Sequence, residues 1–205
     1  MRVVARQEHL AGQRRRAIVA ATIQVIAADG LSATTIERVA DKAGVSPGTV
    51  SFHFQRKDLL LLAALDAVVA EFENARARAI AGAGPSAAAA LDALVVASFD
   101  PRVSRPDKVA VWYAFWGEAN ARRTYLARVG RSEQGYLADI TGLVSRLIAE
   151  GGYDGLDADA VATGLAGLLE WQWQEILVAG RAFDRAGAIR LARSYLGGIF
   201  RHHFR

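Results

Sequence analysis

Cysteine is absent from the 205 residues, which excludes disulfide staples and thiolate metal sites. Histidine is scarce: there are four, and only His202 and His203 adjoin, at a helix end. No metal site and no cofactor is implied. The chain has no Gly-rich phosphate loop and no nucleophile–base–acid spacing, so nothing in it points to an enzyme. No run of about 18 consecutive apolar residues occurs, and the polar, basic N-terminus lacks an apolar signal core. A chain outside the membrane, unsecreted and cytoplasmic, is the expectation. Period-two alternation is missing throughout, which leaves helix as the only regular element. Prolines number four, and each stands at a boundary between apolar-periodic stretches.

What the chain does have is apolar residues, 52% of the total, enough for a sizeable core. It also has an uneven charge. Residues 1–57 carry nine Lys/Arg against four Asp/Glu, whereas residues 58–205 carry sixteen against seventeen. The whole excess of positive charge therefore lies at the N-terminal end. A basic patch supplies the salt-sensitive, sequence-independent share of affinity for a polyanion. By itself such a run also fits a merely solvated face.

Residues 34–58, TTIERVADKAGVSPGTVSFHFQRKD, give that charge a context. Thr34 and Glu37 have the spacing of a capping box. Ile36, Val39, Ala40 and Ala43 then form one apolar helical face. Gly44 suits the left-handed residue that ends a helix. Ser46 can cap the next helix, and Pro47 fits its first turn. Helix, glycine turn, capped helix is a helix-turn-helix, whose second helix enters a DNA major groove. Val45, Val50 and Phe54 must face inward to hold so short a helix, which leaves Pro47, Gly48, Thr49, Phe52 and His53 outward. Gly48 would let a backbone approach closely, and Thr49 could offer a hydroxyl or a methyl to a base. Arg14, Arg15 and Arg16 on the preceding helix are within reach of neighbouring phosphates.

The run Thr35, Val39-Ala40, Ala43-Gly44-Val45-Ser46, Gly48, Phe54, Lys57 and Leu59-Leu60 resembles the N-terminal domain of TetR-family repressors. The resemblance implies nine helices, a DNA operator as partner, and Thr35, His53 and Lys57 at phosphate-holding positions. Ser51 stands where most members carry tyrosine, so one phosphate-contacting phenol is missing. The form TVSFHF is itself similar to the BetI subgroup, the choline-responsive repressors. Trp112-Tyr113-Ala114-Phe115-Trp116, following Pro106, resembles that subgroup's Trp-x-x-Phe-Trp segment, and Gly164 to Trp173 resembles its penultimate helix.

The expected architecture is all-α, with about nine helices in two parts. Residues 1–56 would form a three-helix DNA-binding domain and residues 57–205 a helical ligand-binding and dimerisation domain. Helix boundaries are expected near 10–29, 56–80, 86–99, 106–120, 124–150, 157–179 and 184–203, besides the two of the motif. The fourth helix, apolar almost all round at its start, should pack against both halves.

Two further sites are expected. A single helix-turn-helix holds few base contacts, so two copies on one DNA face are needed and a homodimer follows. Apolar stripes on the last two helices include Leu169, Gln172 and Ile176, then Leu196, Ile199 and Phe200, with Gly197-Gly198 allowing close approach. The same stripes would equally serve their own subunit's core. Trp112, Phe115 and Trp116 on one helix, with Glu170 and Trp173 on another, offer aromatic faces and a carboxylate. A quaternary ammonium effector needs that combination. An aromatic stripe at helical spacing also fits plain core. The competing reading of the whole chain is a small all-α ligand-binding protein or enzyme that never meets DNA.

Overall fold

The structure is a computed structural model that describes residues 2–204. Among the described residues there are nine α-helices and no strand. They are α1 (Arg2–Ala33), α2 (Ile36–Ala43), α3 (Pro47–Phe54), α4 (Lys57–Gly82), α5 (Ala87–Ser98), α6 (Pro106–Gly117), α7 (Ala119–Gly151), α8 (Ala158–Ala179) and α9 (Arg185–Ile199). A single 3₁₀ turn, Gly180–Ala182, joins α8 to α9.

The start of α1 lies well before Leu10, and the helix breaks at Gly30 (φ 78°, ψ 173°) before a last turn. That last turn is tied by Thr34, whose hydroxyl donates to the Gly30 carbonyl at 2.7 Å. Thr34 is thereby taken, and Thr35 caps α2 instead, accepting from the Arg38 N–H at 3.3 Å. The capping box expected from Thr34 is displaced by one residue. Gly44 ends α2 left-handed at φ 65°, and the Val45 N–H reaches back to the Ala40 carbonyl at 3.0 Å. Helix α6 stops at Gly117, earlier than expected, because Glu118 is extended (φ −85°, ψ 115°). The chain after it therefore joins α7. Helix α9 also ends early. Phe200 leaves the helix to bury itself fully, and the returning chain lays the Phe204 carbonyl 3.2 Å from where a Gly197 Cβ would stand. Gly197 thus serves a contact with the chain's own terminus rather than with another helix.

Two apolar cores result. The first gathers Ile18, Ala21, Val25 and Ile26 of α1, Val39 and Ala40 of α2, and Val50 and Phe54 of α3. Its floor comes from Leu60, Ala64, Leu65, Val68 and Val69 of α4, Val111 and Phe115 of α6, and Tyr125 and Val129 of α7. Thr22, fully buried in it, donates its hydroxyl to the Ile18 carbonyl at 2.8 Å, so no polar group is left orphaned there. The second core packs α5, α7, α8 and α9 around Leu91, Leu147, Leu165 and Phe200. Helix α4 spans both, with Phe72, Ala75 and Ile80 against the second. Ion pairs Asp66–Arg128 (2.6 Å), Arg76–Asp139 (2.9 Å) and Glu71–Lys108 fasten it to α6 and α7. The segment His9–Ala33 is long and apolar enough to cross a bilayer by composition. In the fold its apolar stripe is occupied by the first core.

Leu165 is fully buried at the centre of the second core. Its replacement by alanine should cost about 2–5 kcal/mol and lower Tm by roughly 2–4 °C per kcal/mol. Leu126→Ala, at an exposed site on α7, should stay within about 0.5 kcal/mol. Paired thermal melts of the two variants check the contrast, and equal losses would sink it.

Candidate DNA-reading surface and ligand cavity

Helix α3 begins with Ser46, which accepts from the Thr49 N–H at 3.2 Å and shares a hydrogen bond with the Thr49 hydroxyl at 2.9 Å. Thr49 is therefore half-committed to its own cap. Pro47 sits exposed at the first helical position. On the inner side, Val50 and Phe54 are buried, and the Arg15 guanidinium lies 4.8 Å from the Phe54 ring centroid. Arg15 thus braces α1 against α3, whereas Arg14 lines a solvent-open groove between the two helices. Ser46, Gly48, Thr49, Phe52 and His53 line the same groove, with Leu10, Gln13 and Ala17 of α1 opposite. Five of the residues expected to face DNA are thereby gathered on one surface. Phe52 is 81% exposed and meets His53 edge-on at 5.4 Å.

Thr35 caps α2 and Lys57 opens α4, and neither lines this groove. Lys57 donates its ammonium to the Ser32 carbonyl at 3.1 Å, at the end of α1. Ser32 in turn donates its hydroxyl to Glu118 Oε1 at 3.0 Å. The Glu37 carboxylate beside Thr35 is held below the usual carboxylate range by its own backbone N–H and by the Thr35 hydroxyl. Of the α1 side of the groove, the sequence pointed to Arg14 but not to Leu10, Gln13 and Ala17. Leu10, Gln13, Arg14 and Ala17 do recur at helical spacing there, but only the packing of α1 against α3 shows what they face.

The second site is a cavity of about 210 Å³ lined by α4, α5, α6, α7 and α8 and open to solvent beside Trp116, Glu133 and Glu170. Trp112, Trp116, Glu170 and Trp173 line it, as expected. Phe115 does not: it points the other way, buried in the first core with Val111. Trp112 stands between the two: Phe115 falls to one side of it, with Val111, and Trp116 to the other, so one face of α6 is shared between the core and the cavity. Phe72 of α4, Tyr113 of α6, and Tyr125, Glu133 and Tyr136 of α7 complete the wall. These five residues come from three helices, and no spacing within one helix links Phe72, Tyr113 and the α7 residues to one another.

The rings are mutually edge-on. Phe72 lies 6.0 Å from Trp112, 5.4 Å from Trp173 and 5.4 Å from Tyr136, while Trp116 lies 5.6 Å from Tyr125. Trp173 donates its indole N–H to the Ser98 carbonyl at 2.9 Å, which fixes the ring's orientation. Both carboxylates are tethered by phenols: Tyr125 donates to Glu133 at 2.6 Å, and Tyr113 donates to Glu170. Burial first, and then the partner carboxylate, pushes the Tyr113 and Tyr125 phenols well above their ordinary value. Burial pushes the Tyr136 phenol up to about 12. The lining includes two carboxylates and neither Lys nor Arg. Two nearby acids take no part: Glu118 is engaged with Ser32, and Glu175 lies outside the wall.

The expected subunit contact needs correction. Leu169, Ile176, Leu196 and Phe200 are buried within their own subunit's second core, and Gln172 and Ile199 are half-covered. They form the apolar stripe of each helix, and the apolar stripe is what a helix buries first. Left outside are Gly164, Gly167, Trp171, Gln174 and Val178 on α8 and Leu191, Ser194 and Gly198 on α9. Those positions repeat every three or four residues, one continuous face on each helix. Trp171 is 57% and Val178 81% exposed.

Burial makes these three phenols harder to ionise in the folded chain than in the unfolded one. Their folded pKa values lie above the unfolded value of about 10, so their contribution is complete below that pH and is lost as pH rises past it. Denaturant midpoints should fall from pH 9.5 to about 11.5, with tyrosinate absorbance rising as the chain unfolds. Full tyrosine ionisation near pH 10 in the folded protein would contradict the geometry.

Comparison with known proteins accords with both ends of the molecule. Residues 18–64 match the model for bacterial regulatory proteins of the tetR family. Residues 87–201 match that for the C-terminal domain of BetI-type transcriptional repressors. The HTH-type transcriptional regulator BetI of Burkholderia thailandensis is 34% identical over 185 residues, covering 89% of this chain and 91% of that protein. A Pseudomonas aeruginosa PAO1 protein assigned as a transcriptional regulator superposes with a TM-score of 0.78 at 27% identity, over 95% of each chain. A Saccharomonospora viridis protein with the same kind of assignment, solved in complex with choline, shares the fold at a TM-score of 0.70 and 21% identity, over 90% of this chain and 96% of that one. The chain belongs to the TetR family of transcriptional regulators, with a helix-turn-helix DNA-binding end and a BetI-type C-terminal domain.

Proposed function

We propose that the protein is a homodimeric repressor that leaves its operator when a small organic cation enters the aromatic cavity. Residues 1–56 carry the DNA contacts, and residues 57–205 carry the cavity and the dimer face. The observation that supports the effector class best is the cavity wall: clustered aromatic rings and two carboxylates, with no cationic side chain among the residues that line it. Ring faces attract a cation that has no hydrogen to donate, worth about 0.5–2 kcal/mol per contact. Glu133 and Glu170 supply the countercharge. The cavity is smaller than the ~300–1,000 Å³ of drug-sized sites, which favours a compact ligand of choline's size. The choline carried by the Saccharomonospora relative favours the same class.

At the other end, Ser46, Pro47, Gly48, Thr49, Phe52 and His53 enter the major groove, while Thr35 and Lys57 hold phosphates. The N-terminal excess of positive charge supports this assignment. Acting on a chromosomal operator, the protein works in the cytoplasm. Two copies pair through the outer face of α8 and α9 rather than through the buried stripe. That face carries three large exposed apolar side chains, Trp171, Val178 and Leu191, and small residues that let helices approach. Helix α4 couples the sites: Phe72 is cavity wall, and Leu60, Ala64 and Leu65 are floor of the DNA-binding core. A ligand that prefers one setting of Phe72 biases the spacing of the paired α3 helices. A coupling of about 1–3 kcal/mol corresponds to a several-fold to hundredfold loss of operator affinity.

The test is a gel shift on duplexes containing the operator, at two salt concentrations, with and without a quaternary ammonium such as choline. Specific, salt-weakened binding that the cation releases is expected. Glu170→Gln should weaken the cation about tenfold, ~1.4 kcal/mol, in thermal-shift titrations while leaving DNA binding in place. Unchanged operator affinity at saturating cation would overturn the effector reading. Trp171→Glu with Val178→Glu should give folded monomers in analytical ultracentrifugation, with DNA affinity lost. A doubly substituted protein that still sediments as a dimer would sink the assigned face.

A further inference from the structure

Gly48 has no evident reason to be glycine within its own subunit. It sits inside α3 with helical neighbours on both sides, and the nearest atom to a Cβ built there is Ser46 Oγ at 3.8 Å, ordinary contact. Alanine would fit and would favour the helix. One turn further on, at i+4, stands Phe52, the most exposed aromatic ring among the described residues. Residues four apart share a helix face. The face therefore presents a gap and, beside it, a ring that nothing in the subunit covers. The surroundings are cationic or neutral: Arg14 and His53 line the same groove. An exposed aromatic ring is costly to leave in water, and a missing side chain is costly in a helix. Both become intelligible if an anionic partner closes on this face.

We propose that Phe52 is a specificity-determining residue that reads the 5-methyl group of a thymine in the major groove, with Gly48 leaving room for the base edge. The inference deepens the DNA-binding reading above and rests on it. Phe52 carries neither donor nor acceptor, so it cannot bond a phosphate oxygen or a base edge. Apolar contact with a thymine methyl is the base-discriminating interaction open to it in the major groove. Thr49 on the same helix has its hydroxyl shared with Ser46 at 2.9 Å, which leaves more of the discrimination at this edge to the ring. Phosphate contacts would hold the protein in place, while this contact would select sequence.

The experiment uses the full-length protein and an operator selected from random duplexes. Each thymidine of the selected site is replaced singly by deoxyuridine, which removes one methyl and keeps the base pair. The wild-type protein should lose roughly threefold to fivefold in affinity, the worth of one buried methyl, at one symmetry-related position per half-site. Phe52→Ala should bind the intact site more weakly and no longer distinguish thymidine from deoxyuridine there. Phe52→Leu, still apolar, should retain part of the discrimination. Gly48→Ala should melt higher than wild type yet bind the site less well. Circular dichroism melts show whether each variant folds, and both positions are exposed. The inference is overturned if no deoxyuridine position weakens the wild type, or if Phe52→Ala keeps the same discrimination at the same position. If the wild-type protein selects no sequence at all, it is the DNA-binding reading that fails.

Discussion

Helix α4 packs against both cores, its first half buried from Leu60 to Val69 and its second half partly covered, and the rest of the molecule depends on that packing. Its first half closes the core beneath the helix-turn-helix, and its second half reaches the aromatic cavity through Phe72. Hydrophobic burial of this kind has no direction of its own. The orientation comes from the ion pairs Asp66–Arg128 and Arg76–Asp139, which set α4 against α7 at two levels. Close-packed interiors move by repacking rather than by smooth deformation. On the coupling proposed above, a change at Phe72 would be felt as a tilt of the whole helix, including the end that supports α3.

Helix α6 forms a second joint between the same two regions. Val111 and Phe115 face the DNA-binding core, and Trp112, Tyr113 and Trp116 face the cavity. Its end carries Glu118, bonded to Ser32 at the end of α1, and Ser32 receives Lys57 at the start of α4. The three helices that meet there are thus pinned to one another by hydrogen bonds between exposed groups. Such contacts contribute little to stability. They do fix where α3 sits relative to the cavity wall, which is the quantity a regulator has to control.

Local chemistry explains why the helix-turn-helix could be read so far from sequence. The left-handed glycine, the serine cap and the proline at the first turn all act over three or four residues, within reach of a pattern. The error at Thr34 has the same origin: two adjacent threonines offer the same hydroxyl, and only the bend at Gly30 decides which is free to cap α2. The cavity was half legible. The i, i+4 pair Trp112 and Trp116 and the i, i+3 pair Glu170 and Trp173 each lie on one helix. Phe72, Tyr125 and Glu133 join them only across helices. The subunit face was the least legible, because the most apolar stripe on α8 and α9 is the one the subunit keeps for itself.

The sequence by itself determined the all-helical class, the placement of positive charge and the order cap–turn–cap that builds α3. Each of these is a matter of period, composition or a bond spanning a few residues. Tertiary structure alone decided which aromatics share a cavity, that Phe115 turns away from it, and which faces of α8 and α9 remain outside. The reason is physical: an apolar side chain carries the drive to be buried but not the address of its partner, and the address is set by how the helices pack.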